Sequence, residues 1–204
     1  DKINFIISNK NPDFSNIISS IKKDIKNKIV LDIGCGYGSS SIALSKYAKQ
    51  VIAIDLTKPA ILGAKKNLKY NKITNVRVLQ KDAEKMKFKK NLFDFIFSWG
   101  VIHHSFDPKK IFKNIFKFLK PKGSCFIMVY NFYSIRYFLL ANYHLFFKLN
   151  FLKGHTYKTI GRKFTDGYYH KHYKKKELKR ILSIIGFKNI NLYSGHYKGR
   201  ILPF

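Results

Sequence analysis

A glycine-rich turn between a short apolar strand and a helix start constrains this sequence more than any other feature. Residues 29–33 form an apolar run rich in β-branched side chains, typical of a buried parallel strand, and residues 39–45 have the pattern of a helix start. Gly34, Gly36 and Gly38 lie between them. Because glycine has no Cβ, it adopts the dihedral angles of a sharp turn and lets a ligand lie directly against the backbone. The pattern predicts a cofactor site.

A second apolar run supports this interpretation. Residues 51–54 are typical of a neighbouring strand, and Asp55 closes it. This carboxylate follows the first strand by about 20 residues, where doubly wound folds hold ribose hydroxyl groups. Dinucleotide sites favour the spacing G-x-G-x-x-G, because the pyrophosphate must approach both the loop and the helix N-terminus. The spacing in this chain is G-x-G-x-G, which indicates a different cofactor.

Predicted strands and helices alternate along the rest of the chain. The strands cover 75–80, 92–98 and 124–130, with a closing pair at 187–193 and 200–204, and the helices cover 59–70, 107–119 and 176–185. This alternation predicts an α/β fold in which helices cover both faces of a doubly wound, parallel-type sheet. We expect a single domain over residues 1–204. Within it, residues 1–26 would include an N-terminal cap helix and residues 131–174 a lid or substrate insertion.

The glycine turn, with the acidic Asp32 two residues before its first glycine, closely resembles the motif of class I S-adenosylmethionine-dependent methyltransferases. Residues 119–123 are similar to the L-K-P-G-G turn of that family, with Lys122 in place of one glycine. Residues 98–104 resemble the matching segment of small-molecule members such as quinone-biosynthesis methyltransferases. The resemblance covers roughly residues 27–130. It implies a Rossmann-like sheet of seven strands, mostly parallel with one antiparallel strand near its edge, and S-adenosylmethionine as the cofactor.

Carboxylates are scarce in this chain, and three of them fall at or just beyond predicted strand ends. The chain has 40 Lys and Arg residues against 11 Asp and Glu residues, yet Asp32, Asp55 and Asp82 all occupy such positions. In doubly wound folds the ligand crevice lies outside the carboxyl ends of the strands, so we expect these side chains to line one pocket. The alternative is that Asp is simply common in loops.

The resemblance also implies roles for individual residues. Asp55 would accept hydrogen bonds from both ribose hydroxyl groups, and Asp82 would accept one from the adenine amino group. Asp32 would order the glycine loop or help to hold the ammonium group of the methionine part. Backbone oxygens at Ser98 and Trp99 would contact the methionine part, although the Trp99 side chain could simply pack in the core. The expected cofactor-binding residues are Asp32, Gly34, Cys35, Gly36, Gly38, Asp55, Leu56, Asp82, Ala83, Ser98 and Trp99.

His103 and His104 form an adjacent pair just after the predicted strand at 92–98, near the expected position of the transferable methyl group. One of them is a candidate catalytic base or orients the acceptor, since a neutral imidazole is available near pH 7. A structural hydrogen-bonding role is the alternative. His170 and His172 lack carboxylate or cysteine companions in the sequence, so we expect no metal site.

The two cysteines, Cys35 and Cys125, have neither the spacing of a zinc site nor a supporting histidine cluster. So few cysteines fit a reducing compartment. The first residues lack the pattern of a signal peptide. We therefore expect a cytoplasmic protein, either free or peripheral at a membrane.

The formal charge of +29 leaves the partner open. It indicates an anionic partner, which could be nucleic acid, an acidic membrane surface or an acidic substrate, or it merely reflects an A/T-rich coding background. Residues 131–153 are apolar and aromatic, but they are too short and too often interrupted by polar residues for a membrane-spanning helix. They form a substrate lid, a lipid-docking element or ordinary core packing. Residues 165–170 form either the opposite side of the pocket or a simple turn.

Three functions remain open at this level. The preferred hypothesis is an S-adenosylmethionine-dependent methyltransferase that acts at oxygen or carbon of a small, aromatic or lipophilic acceptor. The first alternative is an RNA or other nucleic-acid methyltransferase, which the charge and the aromatic residues favour. Residues 98–101 argue against it, because enzymes that methylate base amino groups resemble one another in an N/D-P-P-Y/F tetrad there and this chain has Ser-Trp-Gly-Val. The second alternative is a non-catalytic cofactor-binding partner subunit. The oligomeric state stays open.

Overall fold

A parallel β-sheet runs through the part of the chain that the structure, a computed structural model, describes: residues 3–7, 14–133, 135–157, 159–160 and 170–194. The strands are β1 (Ile3–Ile7), β2 (Ile29–Ile33), β3 (Gln50–Asp55), β4 (Val76–Gln80), β5 (Phe93–Trp99), β6 (Leu119–Met128) and β7 (Ile190–Ser194). Across the sheet they lie in the order β4-β3-β2-β5-β6-β1-β7. The five strands β2 to β6 are therefore neighbours, with β4 at one edge, and β1 and β7 extend the sheet beyond β6.

Helices alternate with these strands along most of the chain. They are α1 (Phe14–Ile25), α2 (Ser39–Ser45), α3 (Lys58–Tyr70), α4 (Pro108–Phe118), α5 (Ile135–Asn142) and α6 (Lys175–Ile185). Shorter helical turns cover Ile102–His104, Tyr143–Phe147 and Asn150–Lys153, of which the second is a π-helical continuation of α5. The predicted α/β class with a parallel sheet is therefore confirmed.

Both faces of the sheet are covered, and β5 shows how. Phe95 and Phe97 point to one face, where they pack in a cluster with the buried isoleucines of α1. Ile96 points to the other face and packs in a second cluster with the buried side chains of α4. Because successive side chains of a strand point to opposite faces, a strand buried on both sides is apolar throughout.

The N-terminal region and the sheet edge differ from the sequence-based expectation. Residues 1–26 were expected to carry a cap helix, but β1 precedes α1 and pairs in parallel with both β6 and β7. Every described strand pair is parallel, so the expected antiparallel strand is wrong for the described part of the sheet. The reason is that β1 takes the place beside β6. The predicted strand at 200–204 lies outside the described residues.

The start of β6 also differs from expectation. The sequence predicts a turn at residues 119–123, whereas these residues already belong to β6. The pairing with β5 changes register between Phe93 and Phe95 at this point. Lys122 has a φ of 64°, in the left-handed region that favours glycine. It stands where the resembling family has a glycine.

Candidate cofactor and acceptor site

The glycine turn between β2 and α2 is held by backbone hydrogen bonds to the neighbouring strand. The amides of Gly34 and Cys35 both donate to the Ile54 carbonyl oxygen, at 2.8 and 3.0 Å. All three glycines of the turn have positive φ, between 52° and 89°. A Cβ at Gly34 would lie 2.1 Å from a methyl carbon of Val101, whereas a Cβ at Gly36 would meet nothing within 4 Å. The turn is therefore closely packed at Gly34 and open at Gly36.

Asp32 holds the glycine turn in place through hydrogen bonds with the helix that follows it. Its side chain is buried, and one carboxylate oxygen accepts hydrogen bonds from the hydroxyls of Ser40 and Ser41 at 2.7 and 2.6 Å. Burial raises the pKa of Asp32 to about 6, because it penalises the charged form more than the two serine hydrogen bonds favour it; the nearby charge of Asp55 adds to the rise. Asp32 therefore links β2 to the first turn of α2.

Asp55 at the end of β3 is held in a fixed orientation. Its Oδ2 accepts a hydrogen bond from the Gly36 amide at 3.0 Å. Its Oδ1 accepts from the amide and the hydroxyl of Thr57 at 2.9 and 3.1 Å. The following residue, Leu56, is 64% exposed although it is a large apolar side chain. A carboxylate and an exposed apolar side chain thus lie next to the open part of the glycine turn.

Asp82 and Ala83 lie in the loop after β4, which is joined both to β3 and to α4. The Lys81 amide donates to the Asp55 carbonyl oxygen at 2.9 Å. The Asp82 carboxylate accepts from the Glu84 amide at 2.8 Å, and the Asn114 side chain donates to the Ala83 carbonyl oxygen at 3.1 Å. We treat the loops at 34–38, 55–57 and 81–84, together with Asp32, as one side of a candidate ligand cleft and call them the cofactor half of the cleft.

Three further residues of the predicted cofactor site are buried or half-buried: Ser98, Trp99 and Cys35. The Ser98 hydroxyl donates to the Ile33 carbonyl oxygen at 3.3 Å and ties β5 to β2. The Trp99 ring stacks on Phe97 and Phe126, with centroid distances of 6.4 and 6.0 Å, so this side chain packs within the core. Burial raises the pKa of the Cys35 thiol to about 12, which keeps it protonated.

His103 is the least expected group in the cleft. Its side chain is fully buried, and neither Nδ1 nor Nε2 has a hydrogen-bond partner in the part of the chain that the structure describes. Its ring lies 3.7 Å from the Tyr130 ring and 4.2 Å from the His104 ring, centroid to centroid. Burial lowers the pKa of His103 well below its ordinary value of 6.5, and the neighbouring histidines lower it further. The imidazole is therefore neutral at physiological pH.

His170 and His172 join this group from a distant part of the chain. The His170 ring lies 6.1 Å from His104 and 4.9 Å from His172, which in turn lies 5.5 Å from Tyr130. We call these four histidines and Tyr130 the histidine–tyrosine cluster, and we treat it as the candidate acceptor half of the cleft. Residues 165–169, the remainder of the predicted second wall, lie outside the described residues.

Backbone hydrogen bonds hold together the chain segments that carry this cluster. The Lys171 amide donates to the His103 carbonyl oxygen at 2.8 Å, and the Tyr173 amide donates to the Tyr130 carbonyl oxygen at 2.9 Å. Asn131 and Tyr173 form an isolated parallel bridge. Among the described residues, no group of three or more His, Cys, Asp or Glu side chains is arranged to hold a metal ion.

Sequence reasoning missed several residues of the site. Ser40, Ser41 and Thr57 orient the two acidic side chains of the cofactor half, and their positions just after the glycine turn and Asp55 were a usable signal. Tyr130 gave no comparable signal, because its contacts with the histidines join segments far apart in the sequence.

The chain is similar to known methyltransferases. A family model described as a methyltransferase domain matches residues 24–183. Over 113 residues, 52% of this chain, it is 31% identical to the ubiquinone biosynthesis O-methyltransferase of Coxiella burnetii, and the match covers 45% of that protein. The matched region therefore spans about half the length of this curated relative.

Two solved structures have the same fold. The YcgJ protein of Bacillus subtilis has a TM-score of 0.65 and 23% identity, covering 84% of this chain and 66% of that one. Phosphoethanolamine N-methyltransferase 2 of Haemonchus contortus, in complex with phosphomonomethylethanolamine and S-adenosylhomocysteine, has a TM-score of 0.60 and 26% identity, covering 84% of this chain and 37% of that one. Because the family model matches most of its length, this chain belongs to the methyltransferase domain family, within the class I S-adenosylmethionine-dependent methyltransferases.

Proposed function

We propose that this chain transfers a methyl group from S-adenosylmethionine to oxygen or carbon of a small, aromatic or lipophilic acceptor. The observation that supports the proposal most is the open backbone at Gly36 next to the fixed carboxylate of Asp55. A ligand can approach the main chain at that point, and a carboxylate is ready to accept hydrogen bonds from its hydroxyl groups.

The residues of the cofactor half fit S-adenosylmethionine. Asp55 would accept from the ribose hydroxyls, and the exposed Leu56 would lie against the adenine ring, which accounts for an apolar side chain in such an exposed position. Asp82 and the Ala83 amide would contact the polar edge of the adenine. Asp32 would act mainly by holding the glycine turn in place through Ser40 and Ser41.

Positioning supplies most of the catalysis that this reaction needs. When bound, the cofactor would supply a methyl carbon attached to a positively charged sulfur, and this sulfur is a good leaving group because it departs as a neutral thioether when the carbon–sulfur bond breaks. Holding an acceptor in line with that carbon can remove several kcal/mol of the barrier, on the order of 7–11 for well-oriented reactants. Val101 packs against Gly34, so the chain segment that carries His103 directly adjoins the glycine turn. The two halves of the cleft are thus continuous.

His103 would serve the acceptor. A buried imidazole without a hydrogen-bond partner is unfavourable, and a hydroxyl group of the acceptor would supply the missing hydrogen bond. As the new oxygen–carbon bond forms, the hydroxyl becomes more acidic and its proton would pass to a ring nitrogen of His103. The lowered pKa keeps that ring unprotonated before the reaction, although it also makes the ring a weaker base than an ordinary imidazole. The flat rings of Tyr130 and His172 would suit an aromatic acceptor.

Calorimetric titration of S-adenosylmethionine, with NADH as the comparison, is the first test. We expect saturable binding of S-adenosylmethionine alone. Formation of S-adenosylhomocysteine is then measured with phenols and catechols, with phosphoethanolamine and with RNA as acceptors. Turnover restricted to the phenols and catechols supports the proposal. Lack of cofactor binding by the folded chain would contradict it, and turnover with the amine alone would overturn the acceptor class.

Methylation of RNA is the second candidate function, because the formal charge of +29 favours a polyanion. It predicts that S-adenosylhomocysteine forms with RNA and that this turnover falls steeply as the salt concentration rises. Binding of RNA without its methylation would show only that a positively charged protein attracts a polyanion. Cofactor binding without turnover on any acceptor in the panel would favour a non-catalytic partner subunit.

A further inference from the structure

The helical segment after β6 forms a small layer of its own. Its inner side chains Ala141 and Leu145 are buried and pack with Ile160 in a cluster separate from the clusters on the sheet. Local hydrogen bonds join its parts, such as the one from the Asn150 side chain to the His144 carbonyl oxygen at 2.8 Å. The segment thus has a buried side and an opposite side that faces outward.

The outward side exposes an unusual number of large apolar side chains. Phe147 is 83% exposed and Leu152 is 71% exposed, in adjacent turns of the segment. Tyr143 stacks on Phe147 at 6.1 Å, so these rings form a continuous group. Single exposed apolar residues are ordinary, but a contiguous group marks an interaction site. We call this surface the aromatic face, and it comprises Phe138, Leu139, Tyr143, Phe146, Phe147 and Leu152.

The charged side chains of the segment that carries the aromatic face are all of one sign. The sequence has no acidic residue between Asp107 and Asp166. Lys148 and Lys153 are exposed within the segment, and the Lys148 ammonium lies 5.8 Å from the centre of the Tyr143 ring. The partner must therefore accept apolar side chains and carry negative charge beside them.

From this combination we propose that the aromatic face docks on the surface of an anionic lipid bilayer. Phenylalanine and leucine side chains can enter the boundary between head groups and acyl chains, while lysines beside them contact anionic head groups. Single-stranded nucleic acid would use the aromatic rings for stacking but would gain little from Leu139 and Leu152. None of the helices that the structure describes could span a membrane.

Sedimentation of the full chain with lipid vesicles tests this proposal. We expect binding to vesicles that contain phosphatidylglycerol and little binding to pure phosphatidylcholine. The double variant Phe146→Ser/Phe147→Ser should weaken the partition coefficient about tenfold or more, because it removes two apolar side chains from the lipid boundary. Lys148→Glu/Lys153→Glu should weaken it by about fivefold or more for each lysine.

Matched control positions lie on α3, which connects β3 and β4 at the edge of the sheet opposite β7. Tyr70 is 86% exposed there, so Tyr70→Ser removes an equally exposed ring, and Lys66→Glu/Lys69→Glu makes an equal change in charge. Both controls should bind vesicles more tightly than the variants of the aromatic face. Affinity for S-adenosylmethionine, unchanged in all variants, reports that the fold is intact and separates this test from that of the proposed function.

Several results would overturn the proposal. The first is vesicle binding that does not depend on phosphatidylglycerol, or that the serine pair leaves unchanged. The second is an equal loss of binding in the α3 charge control, which would mean that only net charge matters. The third is loss of binding to a fluorescent RNA in the serine pair while vesicle binding persists. If the serine pair fails to fold, Leu152→Ser provides the same test.

Discussion

In the cofactor half of the cleft, the carboxylates of Asp32, Asp55 and Asp82 all accept hydrogen bonds from neighbouring groups of the chain. In the acceptor half, neither nitrogen of the buried His103 imidazole has such a partner among the described residues. The cofactor half is therefore set in place before any ligand arrives. The acceptor half leaves a buried polar group to be satisfied, and an incoming acceptor can do so.

Burial acts on both halves but with opposite consequences for pH dependence. It raises the pKa of Asp32 to about 6 and lowers the pKa of His103 well below 6.5. In both cases the neutral form is favoured. The contribution of Asp32 to stability is present below its ordinary pKa and is lost as pH rises through about 6. The contribution of His103 is present above 6.5 and is lost as pH falls towards its lowered pKa.

The largest effect is expected for Asp55→Ala in the cofactor half. The variant removes the carboxylate that is proposed to accept hydrogen bonds from two ribose hydroxyls, and it releases the Gly36 amide. We expect affinity for S-adenosylmethionine to fall about 1000-fold, roughly 4 kcal/mol, because hydrogen bonds to charged groups contribute about 1.5–3 kcal/mol each. Calorimetric titration measures the change. Asp94→Ala is the control, since that carboxylate lies near the start of β5 and contacts Lys120; an equal loss there would contradict a specific role for Asp55.

The acceptor half is tested by His103→Gln. With a suitable acceptor we expect kcat to fall about 100-fold while the affinity for S-adenosylmethionine stays unchanged, because a positioned base contributes 10²–10⁴-fold. His104→Gln should have a smaller effect. Since the pKa of His103 is far below 6.5, its protonation should not limit wild-type turnover above that pH.

His155→Gln is the matched control for these variants, because this histidine is half-buried outside the histidine–tyrosine cluster. It should leave kcat unchanged. Turnover that is unaltered in both His103→Gln and His104→Gln would reject a catalytic role for the pair. A loss of cofactor affinity would instead show that the two halves are not separable.

Two glycines within the cofactor half should respond differently to the same substitution. Gly34→Ala forces a methyl group against Val101 in addition to the strained φ, so we expect the free energy of unfolding to fall by about 2 kcal/mol. Gly36→Ala meets open space and should cost about 1 kcal/mol of stability from its positive φ alone. Urea unfolding and cofactor titration of both variants measure these effects. Gly36→Ala should nevertheless lose cofactor affinity; retained affinity would argue against backbone contact at that position.

The smallest effect is expected for Asp32→Asn. At pH 7 the variant avoids a buried charge, so the free energy of unfolding should rise by about 1 kcal/mol. This gain is smaller than the pKa shift alone implies, because the amide oxygen of Asn accepts weaker hydrogen bonds than a carboxylate. At pH 4.5, where Asp32 is mostly protonated, the gain should nearly vanish. Urea unfolding at the two pH values measures the difference. A variant that is less stable than wild type at pH 7 would contradict this account.

Asp94→Asn serves as a comparison, because it should change the free energy of unfolding in the opposite direction. The pKa of Asp94 is lowered: desolvation alone would raise it, but the hydrogen bonds from Lys120 and from the Ile29 amide, together with the charge of Lys120, outweigh that effect. Its carboxylate therefore stabilises the fold above its ordinary pKa, and this contribution is lost as pH falls. The variant should be less stable than wild type at neutral pH and should differ less from it at low pH.

Features that depend on local sequence were predicted well. The strand, glycine turn and helix at 29–45 occur as predicted, and Asp55 stands at the end of the next strand. The α/β class follows from the same alternation of patterns. Such features depend on residues close together in the chain, where side-chain periodicity and the special dihedral angles of glycine decide the structure.

Features that depend on distant contacts were predicted poorly. The position of β1 between β6 and β7 was not predicted, because a short strand can pair with any free edge of a sheet. His170 and His172 gave only a weak metal signal, whereas the structure packs them with Tyr130 and His104. The orphaned nitrogens of His103 were equally hidden, since hydrogen-bond satisfaction depends on every neighbour in three dimensions.

The sequence by itself determined the fold class, the family motif at Asp32 to Gly38 and the acidic position at Asp55, because each arises within one strand–turn–helix unit. Only the tertiary structure decided the place of β1, the composition of the histidine–tyrosine cluster and the exposure of the aromatic face. The physical reason is that burial is a property of the packed chain. An apolar or polar side chain has the same letter in the sequence whether it faces the core, the solvent or an unfilled partner position.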